Sequence, residues 1–390
     1  MALPGVSIQV ADGALGRTVT TDDGVAALVV TGVAASGLAL NVAARIYSLA
    51  DAITLGITAA THAHAYGQIS DFYGQAGSGA ELWIMLVAET TTHAAVFVAT
   101  TGPMQKLLDA ALGRVTIAAI SMGRATGYTP TMVGLVDMDI PAVSAQAQVI
   151  ANGYAALHTP VIFIIDGSYL INPLAGVVTI KGTGDRVSIF VGNTEVGKRF
   201  ASIGRFLGRL AAIPVHQSIA RVKTGPFAGS GALTSGLALS GYSNAQLASL
   251  HDAGYIALRS LPGMSGVYVT YDVTLAAATS DFQTIALRRV MDKAIRLSYQ
   301  TYLYELNDTI EIGSDGKLLP TKVSYIEDVV ARTLRTRMLA EGNCSAVKVY
   351  VNPAQNVLAT SSIEVTVKIT PLGTLKDIVV KLGFYNPANV

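Results

Sequence analysis

The segment 192–199 has the glycine and lysine spacing of a phosphate-binding loop. It reads Gly-Asn-Thr-Glu-Val-Gly-Lys-Arg, follows an apolar run at Val187–Val191 and precedes a predicted helix, which is the context in which such a loop cradles phosphates. Arg199, however, occupies the position of the Ser or Thr that binds Mg²⁺, and Glu195 would place a negative charge beside the phosphates. A strand-to-helix turn is the preferred interpretation, and a P-loop-like nucleotide-binding protein using 192–198 is kept as an alternative.

Three histidines have a spacing that would suit a metal site. His62 and His64 are two residues apart and would share one face of a strand, and His93 lies further along the chain. A structural zinc site needs four ligands, and the sequence near these histidines offers no convincing third ligand. We therefore expect loop or surface histidines, and no metal or other cofactor.

Acidic residues follow two of the apolar runs. Asp137 and Asp139 could form a carboxylate pair for acid–base chemistry, but they precede a predicted helix and are more typical of loop and capping residues. The sequence Asp166-Gly167-Ser168 follows a predicted strand, where α/β enzymes place catalytic groups. It lacks the Gly-x-Ser-x-Gly pattern of a nucleophile elbow. Because no two motifs support the same reaction, we predict that the protein is not an enzyme.

A row of basic residues lies in the last third of the chain. Arg288, Arg289, Lys293 and Arg296 follow one flank of a predicted helix, with Asp292 among them. One interpretation is a solvated helix face supported by ion pairs between residues four apart. The other is a surface that docks on an acidic partner, and the residues alone do not decide between them.

The composition favours assembly over catalysis. Apolar residues make up 51% of the 390 residues and charged residues 14%, against about 25% charged residues in an average protein. Burial against copies of itself is one way for such a chain to cover apolar surface. The net charge of +1 does not suggest a nucleic-acid partner. The single cysteine, Cys344, excludes an internal disulfide, and neither a secretory signal nor a membrane span is expected.

Residues 25–275 alternate short apolar runs with helical stretches. This pattern predicts an α/β domain with a mostly parallel sheet and helices on both faces. The predicted strands are Leu82–Ala88, Val115–Ser121, Val161–Ile165 and Val187–Val191, and the predicted helices lie near Met104–Leu112, Val143–Leu157 and Lys198–Ala212.

Residues 276–362 predict a smaller α+β module. Asp281–Glu305 has an apolar face at helical spacing. A hairpin with a turn at 314–316 follows, then a helix near Val323–Ala340 and a strand at Ser345–Val351.

Both ends of the chain have strand patterns without an obvious partner nearby. The N-terminal arm, residues 1–24, and the C-terminal arm, residues 363–390, therefore invite pairing with another chain. The apolar positions of these strands are Val6, Ile8 and Val10 at one end, and Ile363, Val365, Val367, Ile369, Ile378, Val380 and Leu382 at the other.

Several of these segments resemble contractile tail-sheath proteins of phages and related injection systems. The similarity is strongest in Phe282–Ala294, Tyr325–Glu327, and Ile363–Ile369 with the following Pro371-Leu372-Gly373 and Val379–Phe384. Stretches at 71–85 and 208–214 are also similar to sheath sequences. These motifs are packing patterns and carry no catalytic signature.

The resemblance implies a structural role. It implies a helical homo-oligomer of stacked hexameric rings linked by strand exchange through both arms, assembled around an inner tube protein. The row 288–296 would then face the tube, and contraction from a metastable extended state would drive the tube outward. The implied partners are further copies, the tube, the baseplate and the tail terminator, with no nucleic acid and no membrane insertion. The implied location is a virion tail or injection particle assembled in bacterial cytoplasm; another self-assembling shell protein is a further alternative.

Overall fold

The computed structural model describes residues 22–125, 127–133, 135–137, 139–171, 177, 179–314 and 316–383. The chain forms two compact units that divide between Asp308 and Thr309. The helix predicted within Asp281–Glu305 belongs to the first unit.

The first unit is built on short strands. They are β1 (Ala26–Thr31), β2 (Ala43–Ile46), β3 (Leu82–Val87), β4 (Ile117–Ser121), β5 (Met132–Val133), β6 (Val136–Asp137), β7 (Ile162–Asp166), β8 (Val187–Phe190), β9 (Gly192–Asn193), β10 (Ala232–Leu233), β11 (Tyr255–Ile256), β12 (Leu258–Arg259) and β13 (Tyr268–Val269).

Seven of these strands form the central sheet, in the order β11-β8-β7-β4-β1-β3-β2. All neighbours in it are parallel except β2, which runs antiparallel to β3 at one edge. Every residue of β1, β4, β7 and β8 is buried, as expected for strands covered on both faces. Their continuous apolar sequences are therefore core sequences.

Most helices of the first unit pack on this sheet. They are α1 (Leu49–Thr54), α2 (Ala63–Ala76), α3 (His93–Val96), α4 (Pro103–Ala110), α5 (Asp139–Ala156), α6 (Ile203–Ala212), α7 (Asn244–Ala253) and α8 (Ile285–Tyr302). The chain passes from β1 to β3 on one side, then crosses β1 to reach β4 on the other. Because parallel crossovers are right-handed, this reversal places α2 on one face of the sheet and α4 and α5 on the opposite face.

Two glycines allow α2 and α6 to approach closely. A Cβ atom at Gly204 would lie 1.9 Å from the Gln68 carbonyl oxygen, and one at Gly208 would lie 2.3 Å from that of Phe72. The Gln68 side chain completes the contact, because its Oε1 accepts from the Gly204 N–H at 2.6 Å. The glycines of α6 are thus required by backbone packing.

The second unit contains α9 (Pro320–Leu334), β14 (Ala346–Val351), α10 (Val357–Thr360) and β15 (Val365–Thr370). A π-helical turn, Arg335–Leu339, continues α9. Strands β14 and β15 pair antiparallel over their full length. Val330, Leu334, Met338 and Val351 form a small buried core.

The structure confirms the α/β class and the mostly parallel sheet. The four strands predicted in the first unit are present within two residues of their expected bounds. Strand β1, at the centre of the sheet, was missed because its segment is rich in small residues. The helix predicted from Lys198 begins only at Ile203. Within the described residues, no helix combines the length and apolar character that a membrane crossing requires.

Candidate assembly sites

The C-terminal strand pattern forms a hairpin within the chain. In β15 the side chains alternate between half-buried and exposed, with Val365, Val367 and Ile369 on the half-buried side. They lie opposite Val351, Val349 and Val347 of β14. The expectation that this strand lacks a partner in its own chain is therefore wrong for 365–370, because β14 lies close enough in sequence to pair with it. Ile363 precedes the strand.

The segment that follows β15 is different. Described residues 371–383 contain neither helix nor strand, so the second strand expected there does not form in the single chain. The side chain of Leu382 is 93% exposed, and Ile378, Val379 and Val380 are 69–84% exposed. An apolar run this exposed marks an interaction site when it is contiguous.

The N-terminal arm residues Val6, Ile8 and Val10 lie outside the described residues. Their proposed role as an inter-subunit strand stays a prediction.

The basic row of α8 turns inward. Arg288, Arg289 and Lys293 are at most 7% exposed, whereas both the solvated-face and the docking-face interpretations need exposed charges. The exposed placement is thus wrong for these three residues, because carboxylates and carbonyls of the same unit bind them. Whether a tube contacts this part of the protein stays a prediction.

One ion-pair network binds Arg288, the first residue of the basic row. Asp292 Oδ1 accepts from Arg288 Nε at 3.0 Å and Nη2 at 2.9 Å, and its Oδ2 accepts from Arg186 Nη1 at 2.7 Å. Arg288 Nη1 also donates to Asp185 Oδ2 at 2.9 Å. Buried ions persist only when they are paired and hydrogen-bonded in this way. The network joins α8 to the start of β8.

The remaining basic residues bind other parts of the first unit. Lys293 Nζ donates to Asp23 Oδ2 at 2.7 Å. Arg296 Nη2 donates to the carbonyl oxygens of Val115 at 2.8 Å and Pro160 at 2.5 Å. Sequence reasoning noted Asp292 at its i, i+4 spacing. It missed Asp23 and Asp185, because no local pattern connects them with α8.

The segment 192–199 does not form a phosphate-binding loop in the structure. Gly192 and Asn193 form β9, which pairs with β10, and α6 begins only at Ile203. A phosphate-binding loop needs a helix N-terminus directly after it. Lys198 lies 3.7 Å from Glu195 and both are largely exposed, so the lysine forms a surface ion pair.

His62, His64 and His93 lie at buried or half-buried positions. Within the described part of the chain, no group of three His, Cys, Asp or Glu residues could hold a metal ion. His62 lies in the loop before α2, as one of the two expectations had it, but it is buried, and His93 is buried in α3. The His64 ring lies against Phe200, and its Nε2 is 3.1 Å from Ser121 Oγ. Burial lowers the pKa of His64 to about 4.

Asp166 and Ser168 lie at the carboxyl end of β7 but are fully buried. The two carboxylate oxygens of Asp166 accept from the N–H groups of Ala201 at 2.8 Å and Met122 at 3.1 Å. Burial raises the pKa of this carboxyl to about 7, opposed by these two hydrogen bonds. The contacts join the residue after β4 to the loop between β9 and α6, so Asp166 has a structural role.

The fold is that of contractile sheath proteins. The structure of the anti-feeding prophage helical sheath in the contracted state superposes with a TM-score of 0.65 at 15% identity, covering 98% of this chain and 99% of that one. The sheath complex of the extracellular contractile injection system PVC, also contracted, gives 0.60 at 13% identity, with 98% of each chain covered. The sheath tail protein of Desulfitobacterium hafniense gives 0.51 at 10% identity, covering 94% of this chain and 100% of that one. The resemblance noted in the sequence is confirmed by these similarities.

Sequence comparison identifies the family. No curated protein sequence matches the chain. The family model described as DUF2586, N-terminal domain, matches residues 3–272, and that described as DUF2586, C-terminal domain, matches residues 281–389. The protein therefore belongs to the DUF2586 family.

Proposed function

We propose that the protein is the structural subunit of a contractile tail sheath. The observation that carries this proposal is the fold similarity to sheath proteins, which extends over both units and nearly the full length of the chain. In this role the subunits assemble as stacked hexameric rings around an inner tube, within a virion tail or injection particle. The particle is assembled in the bacterial cytoplasm. The protein does mechanical work and is not an enzyme.

Strand exchange through the C-terminal arm is the proposed link between subunits. Residues 378–382 have a strand sequence but form no strand in the single chain, and their apolar side chains are exposed. A second chain would supply the missing hydrogen-bond partners and cover these side chains. The N-terminal strand at 6–10 is proposed to act in the same way.

The two-stranded sheet of the second unit is the proposed acceptor. Among the described residues, β14 and β15 pair only with each other, so each strand keeps one open edge. Two-stranded sheets are marginally stable alone, and open edges are templates for another chain. Strand β15 therefore belongs to the acceptor sheet, and the donated segment begins after it.

The proposed cycle stores energy in the assembly. The sheath forms in a metastable extended state with the tube as its template, and contraction moves rigid subunits while the exchanged strands keep them connected. The baseplate and the tail terminator are the proposed partners at the two ends. No cofactor is required, because the energy is stored during assembly.

Electron microscopy of the purified full-length protein tests the assembly. We expect tubes or stacked rings at high protein concentration or in the presence of the tube protein. A chain that remains monomeric under both conditions would contradict the proposal.

Truncation after Gly373 tests the strand exchange. It removes the exposed segment but keeps β15, so the hairpin and both units should remain folded by circular dichroism while tubes are lost. The matched pair is Val380→Asp and Lys381→Glu, which change neighbouring residues on opposite faces of the expected strand. Loss of tubes in the first but not the second is expected, and tubes from the truncated chain would exclude the C-terminal arm as the link.

A further inference from the structure

A small cavity lies beside the basic row of α8. Its free volume of about 20 Å³ exceeds the roughly 10–15 Å³ that one water molecule needs. The charged side chains that line it are Arg289, Lys293, Arg296, Asp23 and Asp292. Three cations and two carboxylates thus surround a space large enough for one small ion.

Arg289 has hydrogen-bond donors without acceptors. Its guanidinium is buried, and its Nε and Nη1 have no hydrogen-bond partner. Only Nη2 is engaged, at 3.4 Å from the carbonyl oxygens of Asp23 and Ile213. Burial lowers the pKa of Arg289 to about 10, and the charges of Asp23, Asp272 and Asp292 oppose this shift. Unpartnered buried donors of a charged group are costly, so an acceptor in the cavity would stabilise the fold.

The carboxylates that line the cavity are already bound elsewhere. Asp292 accepts from Arg186 and Arg288 through both of its oxygens. Asp23 Oδ2 accepts from Lys293. The lining therefore offers unmet donors and one positive charge in excess of its carboxylates.

We propose that this cavity is a binding site for a single monovalent inorganic anion of chloride size, held by Arg289. The anion accepts hydrogen bonds from Nε and Nη1 and balances the excess charge. It thereby connects α8 to the segment around Asp23 and to the region before β4. The site is independent of the proposed function, since it lies within one unit of one chain.

Thermal unfolding of the full-length protein tests the site at one protein concentration and constant ionic strength. Replacing sodium gluconate with sodium chloride or bromide should raise the unfolding midpoint saturably, by about 2 °C when the halide concentration is tenfold above the dissociation constant. Gluconate is too large for the cavity. Equal midpoints in gluconate and chloride would overturn the proposal.

Substitutions assign the effect to Arg289. Arg289→Met removes the donors and should abolish the halide dependence, whereas the matched control Arg259→Met, at an exposed arginine of β12, should retain it. Val215 also lines the cavity. Val215→Leu narrows the cavity without removing a charge, so it should reduce the halide dependence, and it serves if the first variant fails to fold. Halide dependence that persists in Arg289→Met, or that is undiminished in Val215→Leu, would overturn the proposal.

Anomalous scattering from crystals of the protein grown in bromide locates the ion directly. A peak beside Nε and Nη1 of Arg289 is expected. Density there that scatters only as water would mean an ordinary hydration site and would overturn the anion assignment.

Discussion

The sheet of the first unit and the sheet of the second unit bury their side chains in different ways. All six residues of β1 are buried, and helices cover the sheet on both faces. In β15, side chains alternate between half-buried and exposed, and no residue of the strand is fully buried. The first sheet is covered on both faces within one chain, whereas β15 of the second sheet has one exposed face and is followed in sequence by an exposed apolar segment.

The ion pairs compared in the two units also differ in how far their side chains are buried. In the first unit Arg186, Arg288 and Asp292 form an ion-pair network with at most 9% of each side chain exposed. In the second unit the pair Arg337–Glu341 is 55% and 42% exposed. The buried network thus holds α8 to the start of β8 inside the first unit, whereas the Arg337–Glu341 pair of the second unit lies at its surface.

The largest expected change in stability follows from removing the buried carboxylate of Asp292. Asp292→Ala leaves Arg186 and Arg288 buried with too few acceptors, and we expect the free energy of unfolding to fall by about 3–5 kcal/mol. Urea unfolding of the dilute protein measures it. The control is Asp252→Ala at an exposed position of α7, with a change within about 0.5 kcal/mol. Similar losses for the two variants would show that the network does not stabilise the first unit.

The next effect is a pH dependence in the first unit. The pKa of His64 is lowered to about 4 in the folded chain from an ordinary 6.5, so between these values the unfolded chain binds a proton that the folded chain does not. The contribution of neutral His64 to the free energy of unfolding therefore decreases as the pH falls from 6.5 to about 4. His64→Gln should gain stability relative to the wild type by about 1.4 kcal/mol per pH unit as the pH is lowered.

Asp166 opposes this dependence in the wild type. Its pKa is raised to about 7 from 3.8, so the folded chain binds the extra proton and stability falls as the pH rises. The comparison of His64→Gln with the wild type removes this shared contribution. Urea midpoints at pH 6.5 and 4.5 measure the difference, and a difference that does not change with pH would contradict the prediction.

A smaller loss of stability is expected from substituting a glycine of α6 where this helix packs against α2. Gly208→Ala forces α6 away from the Phe72 carbonyl, and such overpacking costs about 1–3 kcal/mol. Gly67→Ala on α2 is the matched control, because no atom lies within 4 Å of its Cβ position. We expect it to stabilise the helix by up to about 1 kcal/mol. Thermal unfolding should rank the control above the wild type and Gly208→Ala below it.

The smallest effect on the single chain is expected in the C-terminal segment. Leu382→Asp should change the free energy of unfolding of the dilute monomer by less than about 0.5 kcal/mol, because this side chain is 93% exposed. The same substitution should prevent tube formation at high concentration. A large destabilisation of the monomer would mean that the segment packs on its own chain.

Local patterns in the sequence predicted much of the fold. The apolar runs at 82–88, 115–121, 161–165 and 187–191 indicated buried parallel strands, because only strands covered on both faces are apolar throughout. The alternation at 363–370 indicated a strand with one covered face. Strand β1 was not predicted because its run Ala26–Thr31 lies in a stretch that is rich in Gly, Ala and Ser.

Other features depended on residues that are far apart in sequence. The helical spacing of Arg288, Arg289, Lys293 and Arg296 specifies that they share one flank of a helix, but not which carboxylates meet them. Only the tertiary structure brings Asp23 and Asp185 to that flank, and so turns it inward. The pairing of β15 with β14 was decided in the same way, since a strand pattern encodes a face but not a partner.

The sequence by itself thus determined most strand and helix types, the absence of a recognisable catalytic motif and the strand at 365–370. The tertiary structure decided which charges are buried and where the unpaired segment begins. The physical reason is that side-chain periodicity reports the local backbone and one covered face, whereas burial of a charge depends on distant acceptors that arrive only when the chain folds.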